Sequence, residues 1–236
     1  MQARRITRLF AAAVVTAGPI LYSTSVPAAA ATCPDVDVVF ARGTGEPPGV
    51  GGVGQSFVDA LRGQLGAKSV EVYPVNYAAS GDFTNREAFA GTVVDGVRDA
   101  GAHVQSTAKN CPGTKIVLGG YSQGAVVAGY VTAAQAPPGV PASLVPAPLP
   151  SQVADHVAAV ALFGKPSHTF LQQYDAPELT IGPQYAAKTI DLCAQGDTIC
   201  DGTPGGQPGL AYMSYGFDGM TSQAAGFAAE RIAPTP

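Results

Sequence analysis

Ser122 stands in Gly119-Gly120-Tyr121-Ser122-Gln123-Gly124, directly after the apolar run Ile116-Val117-Leu118 and before Ala125-Val126-Val127-Ala128. A G-x-S-x-G sequence between a strand and a helix marks a nucleophilic serine on a sharp turn. The glycines have a steric reason, since side chains flanking so tight a turn would clash with the elements it joins. The turn lifts the hydroxyl clear of the sheet and aims the backbone N–H of Gln123 at an oxyanion forming on a substrate carbonyl. This is acyl-transfer chemistry, and it needs a base for the serine proton. The chain holds three histidines, His103, His156 and His168. His168 follows an apolar run, where the carboxyl edge of an open sheet gathers functional groups. It is the candidate for a relocated base, although a surface loop residue is its plainer reading. His103 and His156 read as structural.

Apolar runs at 36–41, 70–77, 115–121, 157–164 and 188–192 are expected to be five strands, with Pro74 pushing the second toward a sheet edge. Amphipathic or small-residue stretches at 53–65, 85–109, 122–135 and 220–232 are expected helices. Alternation of this kind argues for an α/β fold, a five-stranded parallel sheet with helices on both faces. The segment 136–150 carries six prolines and can be neither helix nor central strand. It reads first as a solvated connector; Leu144, Val145 and Leu149 suggest a second reading, a cover over an apolar groove. No internal repeat is visible.

Residues 1–31 have the form of an export signal: Arg4, Arg5 and Arg8, an apolar run too short to span a bilayer, then Ala29-Ala30-Ala31 as a cleavage site. Cleavage would leave one domain, 32–236, without a stable membrane anchor, and would take the formal charge from -4 to -7. That charge, with no Lys/Arg cluster after the signal, argues against nucleic acid as a partner. Four cysteines in an exported chain imply two disulfides, for which three pairings are possible. Cys193 and Cys200 enclose a short loop and pair most simply with each other, leaving Cys33 for Cys111. A zinc site lacks the usual ligand spacing, and serine chemistry calls for no metal or other cofactor.

GGYSQGA at 119–125, VVFARGTGEPPGVG at 38–51, CAQGDTIC at 193–200 and the four-cysteine layout together resemble the cutinase family, in particular the cutinase-like proteins secreted by mycobacteria and related actinobacteria. The resemblance runs along nearly all of 32–236. It implies a small, monomeric, extracellular or cell-envelope serine esterase with a flavodoxin-like α/β-hydrolase core, no large lid and the two disulfides just favoured. Its substrates would be acyl esters, lipids or polyesters. Ser122 matches the family's nucleophile and Asp197, inside the Cys193 to Cys200 loop, matches its acid; Asp191 and Asp201 are nearby rivals. Thr44 and Gln123 match its oxyanion positions.

The family's third catalytic residue is a histidine after the acid, in a phrase resembling A-H-x-S-Y ahead of G-M-x-x-Q-A. This chain reads LAYMSYGFDGMTSQAA at 210–225, with no histidine after Asp197. Gapless alignment from the GMTSQAA end places Tyr212 at the base position; anchoring on H-L-A-Y of fungal enzymes places Gly209 there. A phenol titrating near ~10 cannot take the serine proton at neutral pH as an imidazole near ~6.5 can. Loss of the base leaves on the order of 10³ to 10⁴ of rate over water. Three functions are therefore weighed: a cutinase-like esterase with impaired turnover, a pseudo-esterase that binds acyl or cell-envelope ligands, and an acetylxylan-type carbohydrate esterase.

Overall fold

The computed structural model describes residues 32–233. The expected export signal, 1–31, lies outside the described residues. Five strands form one sheet: β1 (Val36–Ala41), β2 (Val70–Pro74), β3 (Lys115–Tyr121), β4 (Val157–Phe163) and β5 (Thr189–Leu192). Their order is β2-β1-β3-β4-β5 and every pairing is parallel. This is the flavodoxin-like order, with its topological switch between β1 and β3.

The helices are α1 (Gly51–Leu65), α2 (Arg86–Asn110), α3 (Gln123–Val131), the short α4 (His168–Gln172) and α5 (Pro183–Ala186), and α6 (Met220–Ile232). Successive strand residues point to opposite faces, and β1 sorts accordingly. Val36, Val38 and Phe40 join Phe57, Leu61, Ala224 and Ala228 of α1 and α6. Val39 and Ala41 join Val97, Val104, Val127 and Val131 of α2 and α3. Every residue of β1 is buried, which is why it reads as apolar but for Asp37.

Several element ends differ from expectation, and three of them have clear local reasons. β2 stops at Pro74 because β1 is exhausted: the Val75 N–H reaches the Phe40 carbonyl (3.0 Å), and the chain then leaves the sheet. β5 begins at Thr189 because the Lys188 N–H closes a turn onto Tyr185 (3.0 Å). α3 ends at Val131, four residues early, where the Gly182 N–H captures the Thr132 carbonyl (2.9 Å) and the Thr132 hydroxyl donates back to Gly129 (2.8 Å). The disulfides Cys33–Cys111 and Cys193–Cys200 select one of the three possible pairings. The first ties the entry of β1 to the exit of α2; the second closes the loop after β5.

Candidate active site

The chain enters α3 through Ser122, whose φ of 53° and ψ of -115° lie where a side chain is strained. The turn is fixed on both sides: Ser122 N–H donates to the Phe163 carbonyl of β4 (2.9 Å), and the Ser122 carbonyl accepts from Ala125 N–H (2.9 Å) and Val126 N–H (3.1 Å). The flanking glycines are obligatory. A Cβ on Gly120 would stand 2.1 Å from the Gly124 carbonyl oxygen, and one on Gly124 would stand 1.9 Å from the Ala41 carbonyl oxygen. Gln123 is the first residue of α3, where a backbone N–H has no acceptor within the helix and faces outward. Its side chain is buried and donates through Nε2 to the Ser80 carbonyl (3.0 Å).

The loop after β1 carries Thr44. Glu46 fastens it from below, its carboxylate accepting from Gly43 N–H (2.6 Å) and Gly52 N–H (2.8 Å). Arg42 is buried and donates to the carbonyls of Glu46 (2.8 Å) and Tyr77 (2.6 Å). The Gly45 N–H adds a bond to Ala79 (2.8 Å). Neither Arg42 nor Glu46 was singled out by sequence reasoning, although both flank the Gly-Thr-Gly that carries Thr44. Thr44, Ser122, Gln123 and Tyr212 all line one cavity, as the two oxyanion assignments require.

Asp197 is 1% exposed, and its Oδ1 accepts from Ile199 N–H (3.1 Å). Its Oδ2 accepts from the Tyr215 hydroxyl at 2.6 Å. Tyr215 is fully buried, and its oxygen accepts from Ala194 N–H (3.0 Å). Sequence reasoning missed Tyr215; the signal was the final Y of A-H-x-S-Y, retained in this chain. The two rival acids are engaged elsewhere, Asp191 with Lys165 (3.2 Å) and Asp201 with the Thr203 N–H (2.8 Å).

Tyr212 meets Ser122, its hydroxyl donating to Ser122 Oγ at 2.8 Å. The register anchored on GMTSQAA is thus the one in which a side chain reaches Ser122; Gly209 has none to offer. The Tyr212 backbone is pinned in turn, its carbonyl accepting from the Tyr121 hydroxyl. Burial pushes the Tyr212 phenol above the ordinary tyrosine value; the Ser122 and Tyr121 contacts pull the other way, and the charges of Asp197 and Glu46 push up again. The phenol therefore stays protonated at neutral pH and is a donor in the place where a base is expected.

No histidine takes its role. His168 is exposed at the start of α4 and is not among the cavity-lining residues. His103 pairs through Nε2 with Asp37 (2.8 Å) and stacks on Tyr73 (3.6 Å between centroids). Asp37 is the second residue of β1, whereas Ser122 follows the last residue of β3, so the pair lies at the opposite sheet edge. His156 ends the 3-10 turn just before β4.

The cavity holds about 620 Å³. Val93, Val97 and Val126 line it from α2 and α3, with Phe83, Phe170 and Tyr174 bringing aromatic surface. The proline-rich segment is a cavity wall, contributing Val140, Val145, Pro146 and Pro148, which corrects its first reading as a solvated connector. Leu149 packs on the α2/α3 side of the core, whereas Leu144 remains exposed. The segment has no periodicity because it pairs with no strand and serves one apolar surface.

Burial raises the phenols of Tyr77, Tyr121, Tyr185, Tyr212 and Tyr215, and pushes Tyr130 up to about 12. An acid whose pKa rises on folding holds its proton more tightly in the folded chain. That stability is complete below the ordinary phenol value near ~10 and disappears as pH climbs through the higher folded values. Thermal melts are expected to hold steady up to about pH 9.5 and fall above it, with phenolate absorbance rising together with unfolding. Complete phenol titration near ~10 in a chain that stays folded would contradict this.

The arrangement supplies a strained serine, a buried acid and an apolar cavity lined by Thr44 and Gln123, outside the carboxyl ends of β1 and β3. The cutinase sequence profile matches residues 32–232. A probable carboxylesterase of Mycobacterium tuberculosis, Culp7, is 57% identical over 169 residues, covering 72% of this chain and 88% of the relative. A phospholipase of the same organism, Culp4, is 47% identical over 230 residues, covering 98% and 93%. Trichoderma reesei cutinase, solved with a phosphonate inhibitor, superposes with a TM-score of 0.61 at 30% identity, covering 85% of this chain and 78% of its own. The catalytic core of an acetyl xylan esterase from Trichoderma reesei shares the fold, with a TM-score of 0.65 at 23% identity and coverage of 85% and 100%. By profile, by relatives along nearly its whole described length and by sheet order, the chain belongs to the cutinase family.

Proposed function

We propose that this chain is an exported, monomeric serine esterase that takes the acyl chain of a lipid-like carboxylic ester into the cavity beside Ser122. Turnover is slow for want of an imidazole. One observation carries the reading: Ser122 stands on a strained turn and opens onto an apolar cavity of about 620 Å³. Ser122 attacks the ester carbonyl, and Gln123 N–H and Thr44 receive the oxyanion. Asp197, bonded to Tyr215, holds the 211–215 loop in place. The relatives' names, carboxylesterase and phospholipase, support ester cleavage.

The cavity favours long acyl chains over acetyl groups, since each buried methylene is worth ~0.8 kcal/mol, up to about fourfold in binding. Nitrophenyl esters from acetate to palmitate test this directly. Expected is slow hydrolysis, with KM falling as the chain lengthens, and Ser122→Ala reduced to background. A preference for acetate would favour the carbohydrate-ester reading. A second reading follows from the Tyr212 hydroxyl on Ser122 Oγ, namely an acyl-binding protein without turnover. It stands if the unaltered chain binds a fluorescent acyl ligand yet hydrolyses esters no faster than Ser122→Ala.

A further inference from the structure

The loss of an imidazole leaves Ser122 beside a hydroxyl that can both give and receive a proton. Tyr212 Oη lies 2.8 Å from Ser122 Oγ and donates to it. Tyr212 stays close because Tyr121 bonds its carbonyl and the two rings lie 5.2 Å apart. A phenol cannot store the serine proton at neutral pH, because the phenolate is too costly in this site: burial disfavours it, and Asp197 and Glu46 add negative charge. Neither carboxylate can rescue it. Asp197 is occupied by Tyr215 and Ile199, and Glu46 by the amides of Gly43 and Gly52.

A relay avoids the phenolate. We propose that Tyr212 is a catalytic residue that accepts one proton and releases another in the same step. The proposal rests on the esterase reading. In acylation Ser122 Oγ bonds to the ester carbon while its proton passes to Tyr212 Oη. The phenolic proton passes to the alkoxy oxygen as the C–O bond to it breaks, and alcohol leaves. Oγ, Oη, the alkoxy oxygen, the carbonyl carbon and the two protons form a six-membered ring, and no charge accumulates on tyrosine. In deacylation water replaces serine as the attacking group. It gives a proton to Oη, and Tyr212 gives its own to Ser122 Oγ as the acyl–oxygen bond breaks, releasing the carboxylic acid. The hydrogen bond in the structure, with Tyr212 donating to Oγ, is the arrangement that this last transfer needs. A hydroxyl rotor can turn to make either bond.

The test compares the unaltered chain, Tyr212→Phe and Ser122→Ala on nitrophenyl octanoate, with circular dichroism to confirm that each is folded. Nitrophenolate leaves without a proton, so in acylation Tyr212→Phe loses only the acceptor of the serine proton, which solvent water can replace, whereas deacylation loses both the acceptor of the water proton and the donor to Oγ. Expected for Tyr212→Phe is a burst of about one equivalent of nitrophenol and an octanoyl adduct on Ser122 seen by mass spectrometry. Steady-state turnover should fall at least ~10-fold, the low side of what a positioned acid–base group supplies. Turnover in Tyr212→Phe equal to or faster than that of the unaltered chain, without an adduct, would make Tyr212 an obstruction and overturn the relay alone. An unaltered chain no faster than Ser122→Ala would overturn the esterase reading and the relay with it.

Discussion

Tyr212→His is expected to raise kcat/KM on nitrophenyl esters by ~10² to 10⁴, the range that a positioned general base contributes. The substitution places an imidazole on the backbone that already delivers a side chain to Ser122 Oγ. An imidazole titrates near ~6.5, so at pH 7 to 8 it is free to take the serine proton and then to protonate the leaving group. The charge of Asp197 acts on the Tyr212 phenol, and the same charge would favour an imidazolium at that position. The gain should come with a new feature, a rise of kcat/KM through a midpoint near ~6.5. A folded variant with neither the gain nor the midpoint would show that the loop no longer presents residue 212 in a catalytic pose.

Gly124→Ala is expected to destabilise the chain by ~3 kcal/mol or more, at the upper end of the cost of overpacking. The added Cβ would stand 1.9 Å from the Ala41 oxygen and 2.5 Å from the Arg42 oxygen. These are backbone atoms of β1 and its loop, so relief requires α3 to lift off the sheet. Hydrolysis should disappear as well, because both Ser122 and the Thr44 loop sit at that contact. Gly113→Ala is the control, since nothing lies within 4 Å of its added Cβ. Denaturant midpoints of the two variants separate close packing at the turn from a general intolerance of alanine. Equal midpoints would contradict the steric account of the G-x-S-x-G turn.

The Ser122 turn was legible because its cause is local: only glycine fits at Gly120 and Gly124, and the apolar runs on either side announce the strand and helix they join. Tyr212 was legible for a different reason. The GMTSQAA run opens α6 directly after its loop, so counting back without a gap reaches the residue that touches Ser122. Less visible were contacts made by residues distant in sequence. Tyr215 bonds Asp197 across 18 positions, and the retained Y of the A-H-x-S-Y phrase marks Tyr215 without naming Asp197 as its partner. The 136–150 segment forms a cavity wall through irregular proline backbone, which leaves no period to read. Arg42 and Glu46 are charged residues turned inward on backbone groups, a use that composition cannot distinguish from a solvated loop.

The central claim is that Ser122 works without an imidazole, with Tyr212 in its place. The measurement that tests it most directly is the pH dependence of kcat/KM for the unaltered chain on nitrophenyl octanoate, corrected for the Ser122→Ala background. The account predicts a slow, Ser122-dependent rate that stays flat from about pH 5.5 to 8.5, since no group near Ser122 titrates like an imidazole. A rise with a midpoint near ~6.5 that vanishes in His168→Ala would contradict it, and would give the base to His168.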